Sequence, residues 1–247
     1  MVVSINSPKG LRTKMPHNAS RDRLSNQCAS KKTLLEVIGS LEGSNTEIVE
    51  KSNTIFFPGE EAGKVYLIRR GVVRLSRIYE SGEEVTVALL KENSLFGLSS
   101  LLTNHKSKIS CHAYHAVAFT PVVMETAPAA SVRNLIETGT TFGFLLFKGI
   151  SNRILQAERM IETLANKDIS SRLVSFLLIL CRDFGVQGNE GTIINLRLSH
   201  QIIADTIGTT RVTITRILGE LKSAGLLGFN RKQIMVFDPI TLTKLLN

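Results

Sequence analysis

The stretch SHQIIADTIGTTRVTITRILGELKS, residues 199–223, admits few folds. Ser199 is a good N-cap for a short helix, HQIIADTI, and Gly208 breaks that helix. A second helix begins about two residues later, and two short helices joined by a tight glycine-containing turn predict a helix-turn-helix. In the second helix Ile214, Ile217, Leu218 and Leu221 recur at the period of a helix face, so that stripe packs inward. Arg211, Val212, Thr215 and Arg216 fall on a face turned away from it.

A helix that puts two arginines and several threonines near its start has the chemistry of a base-reading element. Its first turns would point into the major groove. Arginine grips guanine O6 and N7 with two hydrogen bonds, worth roughly 1–3 kcal/mol of discrimination, and the Val212 methyls can meet a thymine methyl. The hydroxyls of Ser199, Thr209, Thr210 and Thr213, with His200 beside them, suit phosphate oxygens. No acidic residue interrupts Thr209 to Gly219. A hairpin follows in LLGFNRKQIMVFDP, with Arg231 and Lys232 at its turn as a basic wing. Double-stranded DNA is the expected partner, in keeping with a net charge of +9.

The rest of the chain, 247 residues with 43% apolar content, is long enough for two modest domains. Residues 1–32 hold seven basic residues and one acidic, among many Ser and Asn, and read as a disordered basic tail without the apolar centre of a signal peptide. From Asn53 to about Ala127, short β-branched and aromatic runs are punctuated by PGE, RRG and ESGEE, which predicts a small antiparallel β-barrel. No apolar run approaches the length that spans a bilayer. The cysteines, Cys28, Cys111 and Cys181, form no metal spacing or disulfide framework, which points to a reducing, cytoplasmic setting with no membrane partner. His112, His115, Glu83 and Glu84 make no nucleophile–base arrangement, so no catalytic residues, no metal site and no enzyme activity are expected.

Between these parts lies a long helix, Thr140 to Asn166. Phe147, Ile150, Ile154, Ala157, Ile161 and Leu164 keep the alternating three-and-four spacing of a coiled coil. With Ile154 at an a position, Arg153 is a g residue and Glu158 the following e residue, which meet across the seam of a parallel homodimer. The competing reading is one face of a helix laid on the β domain. The expected boundaries are 33–138 for the β-barrel, 139–167 for the dimerisation helix and 168–247 for the winged helix-turn-helix. The fold class is α+β.

A β-barrel, a long dimer helix and a C-terminal winged helix-turn-helix together resemble the CRP/FNR superfamily of bacterial transcription factors, most closely its nitrogen-control branch. TIFFPGE, VYLIRRG, YESGEE, TVALLKENSLFG, YHAVAFTP, SRILQ, MIETL and IGTTRVTITR carry the likeness, from about Asn53 to Pro239. The resemblance implies a barrel of the cyclic-nucleotide-binding jelly-roll type. Cyclic-nucleotide sensors of the family need an acidic residue after the pocket glycine and an Arg–Ser pair. Here Leu98 follows Gly97 and no such pair follows. Oxygen sensors of the family use a cluster of N-terminal cysteines, which Cys28 alone cannot supply.

The resemblance implies instead 2-oxoglutarate as allosteric effector, with no other cofactor. It is held by the Phe96, Gly97, Leu98 and Ser99 turn, by a dimer-helix glutamate matched by Glu158, and by a partner-helix arginine matched by Arg153. The family's barrel arginine is missing. His112 stands at its spacing before Tyr114, in a longer segment that also holds Lys106 and Lys108. On the DNA side Arg211, Val212 and Arg216 match base-reading positions for a palindrome of GTA and TAC half-sites about eight bases apart, roughly one helical turn between centres. The resemblance further implies RNA polymerase and a co-activator protein as partners, activation as well as repression, and a hinge at NKDI, Asn166 to Ile169.

Overall fold

The computed structural model describes residues 33–101, 110–138, 140–230 and 233–246. The basic tail, Lys106, Lys108, Arg231 and Lys232 lie outside the described residues. Helix α1 (Leu34–Gly39) starts on a capping box in which Thr33 and Glu36 satisfy each other's backbone N–H groups. Eight strands follow: β1 (Asn45–Val49), β2 (Thr54–Phe56), β3 (Lys64–Arg70), β4 (Val73–Ile78), β5 (Glu84–Leu90), β6 (Leu95–Phe96), β7 (His115–Ala118) and β8 (Val122–Pro128). They form two antiparallel four-stranded sheets, ordered β1-β8-β3-β6 and β2-β7-β4-β5. The expected barrel is thus a roll of two facing sheets rather than a closed cylinder. Among the described residues no strand of one sheet pairs with a strand of the other. Phe56, Ile68, Leu75, Leu90 and Met124 fill the space between the sheets.

Helix α2 (Ala129–Thr138) leads to α3 (Thr140–Ala165), the long helix expected from the heptads. The roll takes up Phe142 and Leu146, which are buried, and partly Ile150, which is also a residue of the expected seam. The other large residues of the expected seam stay in the open, Phe147 and Ile161 each 67% exposed and Ile154 54%. The face laid on the β domain thus reaches the stripe at Ile150, while Phe147, Ile154 and Ile161 are left open in the single chain.

Helix α3 stops where NKDI begins. Asp168 caps α4 (Ile169–Phe184) by accepting from the Ser171 N–H, and Arg172 Nε returns to the Asn166 carbonyl at 2.8 Å. The remaining elements are β9 (Gly185–Gln187), β10 (Thr192–Ile194), α5 (His200–Ile207), α6 (Arg211–Ser223), β11 (Leu227–Asn230), β12 (Gln233–Val236) and α7 (Pro239–Thr243). Strand β10 is shorter than the TIINLRLS run, because the backbone turns at Asn195, whose N–H goes to Phe184. The hairpin β11–β12 extends into a four-stranded sheet with β10 and β9. Leu173, Phe176, Leu177, Ile203, Ile214 and Leu218 share one core, to which Val72 and Leu89 of the roll also belong. No helix among the described residues is long and apolar enough to cross a membrane.

Candidate nucleic-acid interface and effector cavity

Ser199 caps α5 by accepting from the Ile202 N–H at 3.2 Å, which leaves its own hydroxyl hydrogen free to donate. Gly208 ends the helix at φ +71°, a left-handed cap that a side chain would strain, with its N–H on Ala204. Thr210 then caps α6 through the Thr213 N–H, and the two hydroxyls bond each other at 2.9 Å. Thr209 donates its backbone N–H to Ala204 within the turn. Ile214, Ile217, Leu218 and Leu221 are buried, as the stripe requires.

The opposite face is open. Arg211, Thr215 and Arg216 are exposed, and Val212 is 78% exposed although it is apolar. Thr215 donates to the Arg211 carbonyl at 2.9 Å, so its hydrogen is not available to a phosphate in this arrangement. Its partner His200 ties α5 to α6 rather than pointing outward alone. Arg216 is held by Glu220, one turn on, at 2.5 Å. That acidic neighbour lies just past the stretch from which sequence reasoning excluded acids.

The second site lies in the roll. Phe96 ends β6, paired with Tyr66, and Gly97 follows at φ +73°. A Cβ at Gly97 would come within 2.7 Å of the Tyr66 ring and 2.9 Å of the Lys64 carbonyl, so this turn requires glycine. Leu98–Leu101 form a single 3-10 turn, fastened by Ser100 Oγ donating to the Gly97 carbonyl at 2.7 Å. A cavity of about 180 Å³ opens there, lined by the Phe96–Ser99 turn, His112, Tyr114 and Arg153.

Arg153 thus reaches the turn from the chain's own α3, where the family likeness had assigned that role to a partner helix. Its Nη1 donates to Gln156 Oε1 at 2.6 Å, and Gln156 anchors to the Leu89 carbonyl. Sequence reasoning missed Gln156, whose only signal was its position one turn after Arg153. No described carboxylate pairs with Arg153. Burial pushes its guanidinium below the usual range while Tyr114 opposes that shift. Glu158 is exposed and does not line the cavity.

His112, at the spacing of the missing arginine, is buried and stacked on Phe56 with ring centroids 3.6 Å apart. Burial holds its pKa below the ordinary histidine value, against the pull of Glu60. It is an aromatic wall of the cavity more than a cation at neutral pH.

Among the described residues no group of three or more His, Cys, Asp and Glu is placed to hold a metal ion. Glu84, one of the carboxylates weighed for catalysis, is instead hydrogen-bonded to Ser76 and Arg74.

Comparison with known proteins agrees with this geometry. Residues 171–245 match the Crp-like helix-turn-helix domain and residues 46–139 the cyclic nucleotide-binding domain. The chain is 54% identical to the global nitrogen regulator of Nostoc sp. over 198 residues, covering 80% of this chain and 87% of that one. It is 52% identical to the global nitrogen regulator of Synechococcus elongatus over 80% of this chain and 88% of that one. The structure of FixK2 from Bradyrhizobium japonicum superposes with a TM-score of 0.70 at 25% identity, covering 82% of this chain and 96% of that one. These relatives are transcription regulators, not enzymes, and the exposed α6 face has the chemistry to read DNA. The chain belongs to the CRP/FNR family as a DNA-binding transcription regulator of nitrogen control, among the global nitrogen regulators.

Proposed function

We propose that this regulator acts in the cytoplasm as a homodimer, binds 2-oxoglutarate at the Phe96–Arg153 cavity, and reads a palindrome of GTA and TAC half-sites. Residues 33–138 form its sensor, 139–167 its dimer helix and 168–247 its DNA reader. The observation that carries the reading is Arg153. Its guanidinium lines the cavity at the Phe-Gly turn without a described carboxylate partner, on the helix whose other face is the exposed apolar seam. A guanidinium grips a carboxylate through two parallel hydrogen bonds, which makes a carboxylate ligand the natural complement.

In a parallel pairing, Glu158 of one helix approaches Arg153 of the other, by their g and e positions. A ligand at Arg153 would then compete with or reorganise that cross-seam pair. It can shift the crossing of the two helices only by its different affinity for the two arrangements. The crossing sets the spacing of the two α6 helices, and half-sites about one helical turn apart suit a two-fold dimer. Arg211 and Arg216 read guanine, Val212 meets thymine, and Ser199, Thr210 and Thr213 face phosphates. RNA polymerase and a co-activator protein are further partners of the promoter-bound dimer, which activates or represses according to promoter position.

The test is a duplex titration at fixed salt, with and without millimolar 2-oxoglutarate, because phosphate contacts make affinity strongly salt-dependent. Tighter specific binding with effector, lost in Arg153→Ala, supports the reading. A second reading, a constitutive regulator, is favoured by one observation: His112 is stacked and neutral where the family places an arginine. It predicts specific binding indifferent to 2-oxoglutarate in both the parent and Arg153→Ala.

A further inference from the structure

Arg153 holds a g position of the proposed pairing, and two directions are open to it. Toward the seam it meets Glu158 of a paired helix; toward the roll it meets the Phe96–Ser99 turn. In the single chain it takes the second, and the guanidinium lines the roll cavity. Arg153 Nη1 donates to Gln156 Oε1 at 2.6 Å, and Gln156 Nε2 donates to the Leu89 carbonyl at 3.1 Å. Gln156 is a c position, off the seam, and it does not itself line the cavity. Its amide thus holds Arg153 on the roll side of α3 without touching an occupant.

The anchor of that amide is a firm one. Leu89 lies in β5, the end strand of its sheet, and its buried side chain packs in the core shared with α4, α5 and α6. Of the five guanidinium N–H donors of Arg153, one goes to Gln156. The Nε and Nη2 donors have no acceptor among the described residues. They form one of the edges through which arginine grips a carboxylate with two parallel bonds. A carboxylate in place of the amide would orient the guanidinium but also cancel its charge. A carboxamide orients it and leaves the charge for a ligand.

We propose that Gln156 is the positioning residue of the effector cavity, which orders Arg153 toward the cavity and keeps its charge uncancelled for a carboxylate ligand. The inference rests on the dicarboxylate reading of the cavity given above. Ordering is the first gain, because a long side chain fixed before the ligand arrives removes that entropy cost from binding. Selection is the second. Bonded to Gln156, Arg153 is biased toward the ligand in its competition with Glu158 across the seam.

The experiment makes two measurements on the full chain, for the parent, Gln156→Met and Gln156→Glu. Nitrogen-15 NMR without ligand reads the Arg153 guanidinium signals, assigned by their loss in Arg153→Lys. Calorimetric titration with 2-oxoglutarate at fixed salt reads affinity, and circular dichroism checks that each variant is folded. Resolved Nη signals are expected in the parent and in Gln156→Glu, and signals averaged by free rotation in Gln156→Met. Binding should be about tenfold weaker in Gln156→Met, where the ordering cost returns to the ligand. It should weaken at least as much in Gln156→Glu, where the new carboxylate competes for the guanidinium. A purely structural role would not separate the two variants by NMR. Arg153 signals alike in the parent and Gln156→Met overturn the proposal, as does parent affinity in either variant. A parent that binds no 2-oxoglutarate overturns instead the function proposed above, and the NMR comparison then decides by itself whether Gln156 holds Arg153.

Discussion

His200 donates from Nδ1 to the Thr215 hydroxyl at 2.8 Å, bridging the two reading helices. The direction follows from Thr215, whose own hydrogen goes to the Arg211 carbonyl at 2.9 Å. The imidazole must therefore carry its proton on Nδ1. Replacing His200 by Ala removes a link between α5 and α6 worth about 1 kcal/mol. Chemical denaturation should show that loss, and a gel-shift titration should show weaker specific duplex binding. A His200→Ala protein with parent stability and parent affinity would mean that the link does not set the helix pair.

Arg211 and Arg216 share the exposed face of α6, but only Arg216 has a carboxylate neighbour, Glu220. Arg211→Ala should cost about 1–3 kcal/mol in specific binding over a scrambled duplex. Glu220→Gln releases Arg216 from a competing charge and should tighten binding to scrambled duplex, an increase that added salt suppresses. Binding of scrambled duplex that Glu220→Gln leaves unchanged would mean that Glu220 does not restrain Arg216.

Ile154→Glu with Ile161→Glu should give a folded monomer in sedimentation equilibrium. Both residues are more than half exposed in the single chain, so the new charges meet water there and are buried only in the pair. Circular dichroism should match the parent. A variant that still sediments as a dimer would place the interface elsewhere.

His112 makes stability depend on pH. Its folded pKa lies below the ordinary histidine value because burial disfavours the cation. Below the unfolded value of about 6.5 the unfolded chain therefore binds more protons, and stability falls as the pH drops toward the lower folded pKa. Above the unfolded value of about 6.5 the effect vanishes. His112→Phe keeps an aromatic ring against Phe56 and should flatten this part of the denaturation profile. A profile with the parent's slope would show that another group titrates there.

The two helices of the helix-turn-helix, the long helix α3 and its break at NKDI were legible in the sequence because each obeys a helical period or a capping rule. Ser199 and Gly208 fixed α5 to the residue, and the Ile214–Leu221 stripe placed α6, whose start was read only as about two residues past Gly208. Helix α2 was not foreseen, although Val132 and Leu135 share its inner face, because this ten-residue helix follows directly on the end of β8. Strand β9 is exposed at all three residues, so it has no alternation to detect. The turn at the roll cavity was visible through Phe96 and Gly97, but the approach of Arg153 from its own helix was not. A heptad position says which residues flank a seam, and not into which neighbouring cavity a long side chain folds back.

If the chain pairs along α3 as proposed, the open stripe also governs how the regulator responds to its own abundance. While chains are dilute relative to their pairing constant, the amount of dimer grows with the square of total protein. Operator occupancy then climbs more steeply than synthesis does. Doubling expression would roughly quadruple the DNA-reading species in that regime. The strength of the Phe147–Leu164 seam thus fixes the expression level at which this threshold gives way to simple proportionality.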